Sequence, residues 1–300
     1  MVDSFMISLN LQHRTRYRYR TPVNIGRHRL MLRPRESRDV RLISYDLAIK
    51  PQAALTWAYD VFGNAVGSAT FQDRTDELVI TSTATLELAA VPWPIFDIAA
   101  YAISYPFRYS NEEWIDLGPL VNQHYQDPNG QLQNWARGFI ASERTDTLSL
   151  LKDLSAGVSQ YLSYASREDE GTQSPNETLE RRIGSCRDYA LLFAEAARSL
   201  GFGARLVSGY LRPMDNVLGS QGAGSTHAWA EIYVPGAGWI AFDPTNGTMG
   251  GFNLIPVAVV RDIKLAVPVA GGFVGSSDAL IDMSVEVSLM PQQKVIRVSR

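Results

Sequence analysis

Between Ile7 and Leu88 apolar and polar residues alternate in short runs separated by turn formers, the period-two signature of strands with one buried face. In the first run Thr15, Tyr17 and Tyr19 fall on one side, and Arg14, Arg16, Arg18 and Arg20 on the other. The segment D-V-F-G-N at 60–64 sets Gly63 and Asn64 between apolar stretches, as a turn needing positive φ would, and gives them a structural role. Around Val91 to Pro106 the alternation breaks into V-P-W-P-I-F-D and Y-A-I-S-Y-P-F, where the prolines mark a domain boundary. The pattern predicts a β-rich N-terminal domain over residues 1–105.

After Thr145 the period changes. Leu148, Leu151, Leu154, Val158 and Leu162 recur at three- and four-residue intervals, the stripe of an amphipathic helix. Ser174, Pro175 and Glu177 announce a second helix, expected to end near Gly184. Ser185 and Asp188 then form an S-x-x-D start. The apolar face of Ala190, Leu191, Phe193, Ala194, Ala197 and Leu200 follows, until Gly201 stops the helix. Cys186 falls at its first position. From Ala204 the texture turns to strands, A-R-L-V-S-G-Y-L, H-A-W-A-E-I-Y-V and W-I-A-F-D-P-T, with a P-G-A-G turn between the last two. Strand-like pieces between Phe252 and Arg300 are expected to complete a sheet. Residues 106–300 therefore read as a second, α+β domain with C-terminal strands.

Composition adds exclusions. Across 300 residues, 45% hydrophobic and 20% charged content is that of a globular protein, and a single cysteine rules out both an intramolecular disulfide and a thiolate metal cluster. No run approaches the roughly 18 apolar residues of a membrane helix. The start M-V-D-S-F-M-I-S-L-N lacks a basic region followed by an apolar one, so the chain reads as soluble and cytoplasmic, with no membrane partner. The first fifty residues carry eleven Lys/Arg against four Asp/Glu, and the rest seventeen against twenty-seven. The arginine row reads as the solvated face of a sheet or as a groove for an acidic ligand. Nucleic acid is not the expected partner, since no recognition helix or stacking motif accompanies the row.

A cysteine at a helix N-terminus meets the positive end of the macrodipole and unpaired backbone N–H groups, which favour a thiolate and can receive an oxyanion. A base is needed. His13, His28 and His124 lie in the β domain or the connecting region, which leaves His227, at the start of its strand. Asp243 ends the next strand. A hairpin loop from Val234 to Gly238 makes Trp229 face Asp243 and His227 its diagonal neighbour on the same face, whereas a loop one residue shorter puts them on opposite faces. If they meet, the carboxylate orients the imidazole while the other ring nitrogen takes the thiol proton.

The segments G-S-C-R-D-Y-A, H-A-W-A-E and W-I-A-F-D-P-T, in that order over about sixty residues, resemble the core of bacterial transglutaminase-like proteins, relatives of papain-like thiol enzymes. H-R-L-M-L-R-P-R-E-S and W-A-Y-D-V-F-G-N-A-V resemble the β domain that precedes this core in the family. The resemblance implies an α+β fold in which the nucleophile helix packs on an antiparallel sheet, with Cys186, His227 and Asp243 in the triad positions. It implies acyl transfer. The thiolate attacks a glutamine-type or peptide amide, and the thioester passes to an amine or to water. Substrates would be peptide or protein amides with an amine acceptor. The family's eukaryotic branch uses calcium, but no D-x-[DN]-x-[DN]-G loop is present, so neither metal nor cofactor is expected.

Two side readings complete the picture. Trp229 and Trp239 read as core or as walls of an apolar substrate slot. The stretch Arg212 to Ser225, with Gly219, Gly222 and Gly224, reads as a lid beside His227 or as an ordinary loop. Three functional readings stand: thiol acyltransferase or amidohydrolase, peptide hydrolase with the same triad, and a catalytically silent binding module.

Overall fold

A computed structural model describes residues 6–89, 94–166, 171–212 and 224–291. The fold is α+β, with an antiparallel β domain in the N-terminal half and a helix-on-sheet core after it. The alternation of the first run continues through one 19-residue strand, Ile7–Ile25, longer than its turn-like residues suggested. It pairs antiparallel with Arg74–Leu88, which pairs in turn with Val40–Lys50. A smaller sheet of His28–Leu30, Ala65–Thr70 and Ala54–Tyr59 closes over it, and Tyr19, Val23, Leu30, Leu32, Leu78 and Ile80 fill the space between. The arginine row lies outward against acidic neighbours. Arg16 pairs with Glu77, Arg18 with Asp282, and Arg14 stands opposite Glu286.

The strands after Phe252 do not stay together. Leu254–Val260 joins the core sheet beside Gly203–Leu211, but Val269–Ala270 pairs with His28–Leu30, and Leu280–Pro291 runs along Ile7–Ile25 over nearly its whole length. The last strands thus complete the N-terminal sheets, correcting the expectation that they belong with residues 106–300. The reason is an edge. Without Leu280–Pro291, the long first strand would present a row of unpaired backbone groups to water.

Five helices lie among the described residues: α1 Asn111–Leu117, α2 Gln131–Arg137, α3 Thr147–Tyr161, α4 Pro175–Arg181 and α5 Cys186–Ser199. In α3 the stripe faces the core, with Leu151, Leu154 and Val158 buried and Leu148 partly so, and Asp146 caps the helix by accepting the Ser149 N–H at 2.8 Å. Ser174 caps α4, which ends at Arg181, short of Gly184. Arg182 takes a left-handed conformation and frees Ile183–Gly184 to pair in parallel with Ser163–Tyr164. Helix α5 is the core, wrapped by α2, α3 and α4. Phe193, Ala194 and Ala197 pack with Ala228, Ala230, Ile232, Ile240 and Phe242 of the antiparallel sheet Thr248–Met249, Gly238–Asp243, Ser225–Val234, Gly203–Leu211, Leu254–Val260. Each fully buried large side chain there contributes about 1.5–3 kcal/mol.

The far side of α5 carries a fully buried ion pair, Glu195–Arg198 at 2.5 Å. Glu195 also accepts the backbone N–H groups of His124 and Tyr125, while Arg198 donates to the carbonyls of Leu120, Ala204 and Arg261. Asn64 closes the turn on Asp60, as its structural role required, and also reaches beyond it. Gly63 alone supplies the positive φ, and the buried Asn64 amide exchanges two hydrogen bonds with the Val259 backbone, tying the β domain to the core sheet. His13 makes a second tie, to the Tyr210 hydroxyl at 3.1 Å.

Burial pulls His13 down to about 4, and burial with nearby Arg198 and Arg261 does the same for His124. Both are neutral when folded and take up protons on unfolding below about 6.5. Their contribution to stability is therefore present above pH 6.5 and lost as pH falls through 4. Urea unfolding should show stability falling steadily from pH 6.5 to 4, with a shallower fall in His13→Gln.

Candidate active site

Helix α5 begins where its neighbours stop covering it. Asp188, in its first turn and fully buried, accepts the Ser185 N–H and hydroxyl on Oδ2 and the Gln173 N–H on Oδ1, all at 2.8 Å. This carboxylate fixes the chain entering the helix and places negative charge at its positive end. Gly184 lets it fit, since a Cβ there would stand 2.8 Å from the Cβ of Asp188. Cys186, the first helical residue, is half-buried against the core.

The hairpin takes the register in which the candidate base and carboxylate share a face. Val234 pairs with Gly238 and Ala230 with Phe242, which brings Trp229 opposite Asp243 and His227 diagonal to it. The contact is made: His227 Nε2–H donates to Asp243 Oδ2 at 2.8 Å, with both side chains buried. The imidazole also hydrogen-bonds the Cys186 thiol, for which Nδ1 is the nitrogen left over. The three predicted residues are thus brought together in the order sulfur, imidazole, carboxylate. Burial alone would lower the imidazole pKa, but the hydrogen bonds to Asp243 and Cys186 and their charges outweigh it and hold His227 at about 9. At neutral pH the ring is an imidazolium between two groups that favour its charge.

Gly209 and the Asn246 contact to Asp243 escaped the sequence reading. Gly209, paired with His227 across the sheet, has no room for a side chain, since a Cβ would stand 2.1 Å from the Ile255 carbonyl and 2.8 Å from the Trp229 ring. Trp229 is core, packed with Val207, Leu254 and Val259, and lies at 25° to the imidazole with centroids 6.3 Å apart. Trp239 faces outward under the Arg205 guanidinium and walls no slot at Cys186. Asp243 accepts more than the imidazole: Thr245 N–H on Oδ1 at 3.0 Å and Asn246 Nδ2 on Oδ2 at 2.7 Å. The only sequence sign of this was the polar turn T-N-G after Pro244. Tyr164, more than half exposed, sits next to Gly184 through the parallel pairing, where burial and the charge of Cys186 push its phenol pKa up. Tyr161 instead packs on Trp135 and under Arg182. Most of the lid expected between Arg212 and Ser225, residues 213–223, lies outside the described residues.

Comparison with known proteins gives this geometry a family. Residues 133–244 match the model of the transglutaminase-like superfamily, and residues 9–87 that of the bacterial transglutaminase-like N-terminal region. The chain belongs to the transglutaminase-like superfamily. This is a family of cysteine-dependent acyl transfer and proteolysis. An uncharacterized protein of Mycobacterium tuberculosis H37Rv is 28% identical over 92% of this chain and 90% of its own. A protein-glutamine gamma-glutamyltransferase of Pseudomonas aeruginosa is 39% identical over 22% of this chain and 10% of its own length. The crystal structure of a Cytophaga hutchinsonii protein, described as a candidate cysteine protease, superposes with a TM-score of 0.73 at 19% identity. It covers 96% of this transglutaminase-like chain and 99% of its own, a likeness of fold. Among the described residues no helix is long and apolar enough to cross a membrane.

The Asp188 cap makes a direct prediction. Asp188→Ala leaves three buried donors unpaired and should destabilise the protein by about 2–4 kcal/mol in urea unfolding. Asp188→Asn, which keeps part of the acceptor set, should lose less.

Proposed function

We propose that the protein is a thiol acyl-transfer enzyme in which Cys186 is the nucleophile, His227 the base and acid, and Asp243 the residue that holds the imidazolium. The observation that carries this reading is His227 bonded at once to Asp243 and to the sulfur of a cysteine that opens a buried helix. With the proton on the imidazole, Cys186 attacks an amide carbonyl as thiolate. The S–C bond forms, and negative charge gathers on the carbonyl oxygen near the N-terminus of α5, the positive end of its dipole. Collapse breaks the C–N bond, and His227 delivers its proton to the leaving nitrogen as ammonia or amine. The neutral imidazole then takes a proton from an incoming amine or water as it attacks the thioester; the C–S bond breaks and the thiolate–imidazolium pair is restored.

The donor proposed is a glutamine-type side-chain amide on a peptide or protein. The relative named as a protein-glutamine gamma-glutamyltransferase, similar over 71 residues, supports that class. Peptide-bond hydrolysis uses the same first step and differs in which amide is presented to the thiolate. Ammonia release from a glutamine-containing peptide, measured beside cleavage of its backbone, separates the two. Neither product, together with an unreactive thiol, would leave a binding module as the remaining reading.

Two predictions follow from the site's electrostatics. An ordinary thiol with pKa near 8.5 is roughly 3% thiolate at pH 7. Iodoacetamide should alkylate Cys186 at pH 7 at least about ten times faster than that fraction allows, because the imidazolium persists up to about pH 9. His227→Ala should remove the excess and move the rise in rate to pH 8–9. The lone cysteine makes the readout unambiguous. Tyr164, exposed beside Gly184 and close enough to Cys186 to feel its charge, offers a hydroxyl that can donate to the developing oxyanion. Tyr164→Phe should lower kcat/KM on amides by about 10- to 100-fold while leaving alkylation unchanged.

A further inference from the structure

Asp243 receives four donors, and only one of them belongs to the triad. Thr245 N–H and Asn246 N–H both point at Oδ1, at 3.0 and 3.3 Å, so that oxygen is engaged in closing its own turn. Oδ2 is shared between His227 Nε2–H at 2.8 Å and Asn246 Nδ2–H at 2.7 Å. The same Asn246 amide nitrogen lies 3.4 Å from His227 Nε2. Asn246 therefore touches both members of the imidazolium–carboxylate pair, from a turn whose last residue, Gly247, has a positive φ of 64°.

We infer that Asn246 is a positioning residue for the acyl-transfer site, fixing Oδ2 of Asp243 on the imidazole. This inference rests on the triad reading. The backbone donors hold one oxygen of the carboxylate, and the Asn246 amide and the imidazole N–H share the other. The hydrogen bond to Asp243 is among the causes that raise the His227 pKa, so a carboxylate oxygen held on Nε2 favours the proton on the ring. Without the amide, Oδ2 would bond water instead, and part of the imidazolium's stabilisation would go with it.

The test is the pH profile of Cys186 alkylation in the full chain. Asn246→Asp keeps the shape and the turn preference but replaces the Nδ2 donor with an acceptor. Asn246→Ala removes the group. Asn246→Ala should lower the pH 7 alkylation rate by roughly 10-fold and move the profile about one pH unit toward that of an ordinary thiol, and Asn246→Asp, which sets a second carboxylate against Oδ2, should also depart from the wild-type profile. The Asp variant should show an added titration as two carboxylates share a proton. Thermal unfolding identifies any variant that is lost to misfolding, and the other then carries the test. Wild-type profiles in both Asn246 variants, with His227→Ala still shifted, would overturn the positioning role and leave the triad standing. A profile unchanged in His227→Ala as well would overturn both.

Discussion

A helix buried on almost every side can present chemistry only at its ends, and this constraint organises the molecule. From Asp188 to Arg198 every residue of α5 is buried, so no catalytic group along its flank could reach a substrate. The N-terminus is the exception. There the helix needs acceptors for its first N–H groups, and Asp188 satisfies the entering chain while Cys186 stays half-buried. The buried Glu195–Arg198 pair does the corresponding work toward the other end, where every hydrogen bond it makes reaches another segment of the fold. Such a pair adds little net stability against an apolar alternative, but breaking it leaves an uncompensated buried charge. It therefore fixes the register of the helix against the sheet, and with it the height of Cys186 relative to His227.

Helical and strand periodicity made α3, α5 and the core hairpin legible, because one face of each is apolar and local spacing records which. The hairpin loop had two allowed lengths, and packing chose between them. With Val234 opposite Gly238, Ala230, Ile232, Ile240 and Phe242 all turn toward α5, whereas a slip by one residue would have turned the strand's apolar set outward. What stayed hidden has long-range causes. The pairing of Leu280–Pro291 with Ile7–Ile25 joins residues at opposite ends of the chain, and no local pattern names a partner strand. Asn64 has turn chemistry in its neighbours, yet its side chain completes the ladder of a strand 195 residues away.

The ties between the two halves bear on how rigid the site can be. Asn64 bonds to Val259, Arg35 N–H to the Pro256 carbonyl, and His13 to Tyr210. All three act on Gly203–Leu211 and Leu254–Val260, the strands beside Ser225–Val234 on the side away from Asp243. Gly209 then lets Leu254–Val260 approach closely enough to seat Trp229 under the imidazole. The N-terminal domain thus braces the sheet that carries His227. A histidine whose position depends on a bond of 2.8 Å gains from a sheet that cannot flex beneath it.

Asp243 shows why the residue type and the position had to coincide. An aspartate before proline at a strand end is ordinarily a turn former, and here it is one, with Oδ1 holding the N–H groups of Thr245 and Asn246. The second oxygen is what remains for chemistry. A carboxylate that closes its own turn is rotationally fixed without any further element, so Oδ2 points at one place, and His227 occupies it. Glutamate, one methylene longer, could not close the same turn. The structural and catalytic readings of this residue are therefore not rivals: the turn is the means by which the carboxylate is aimed.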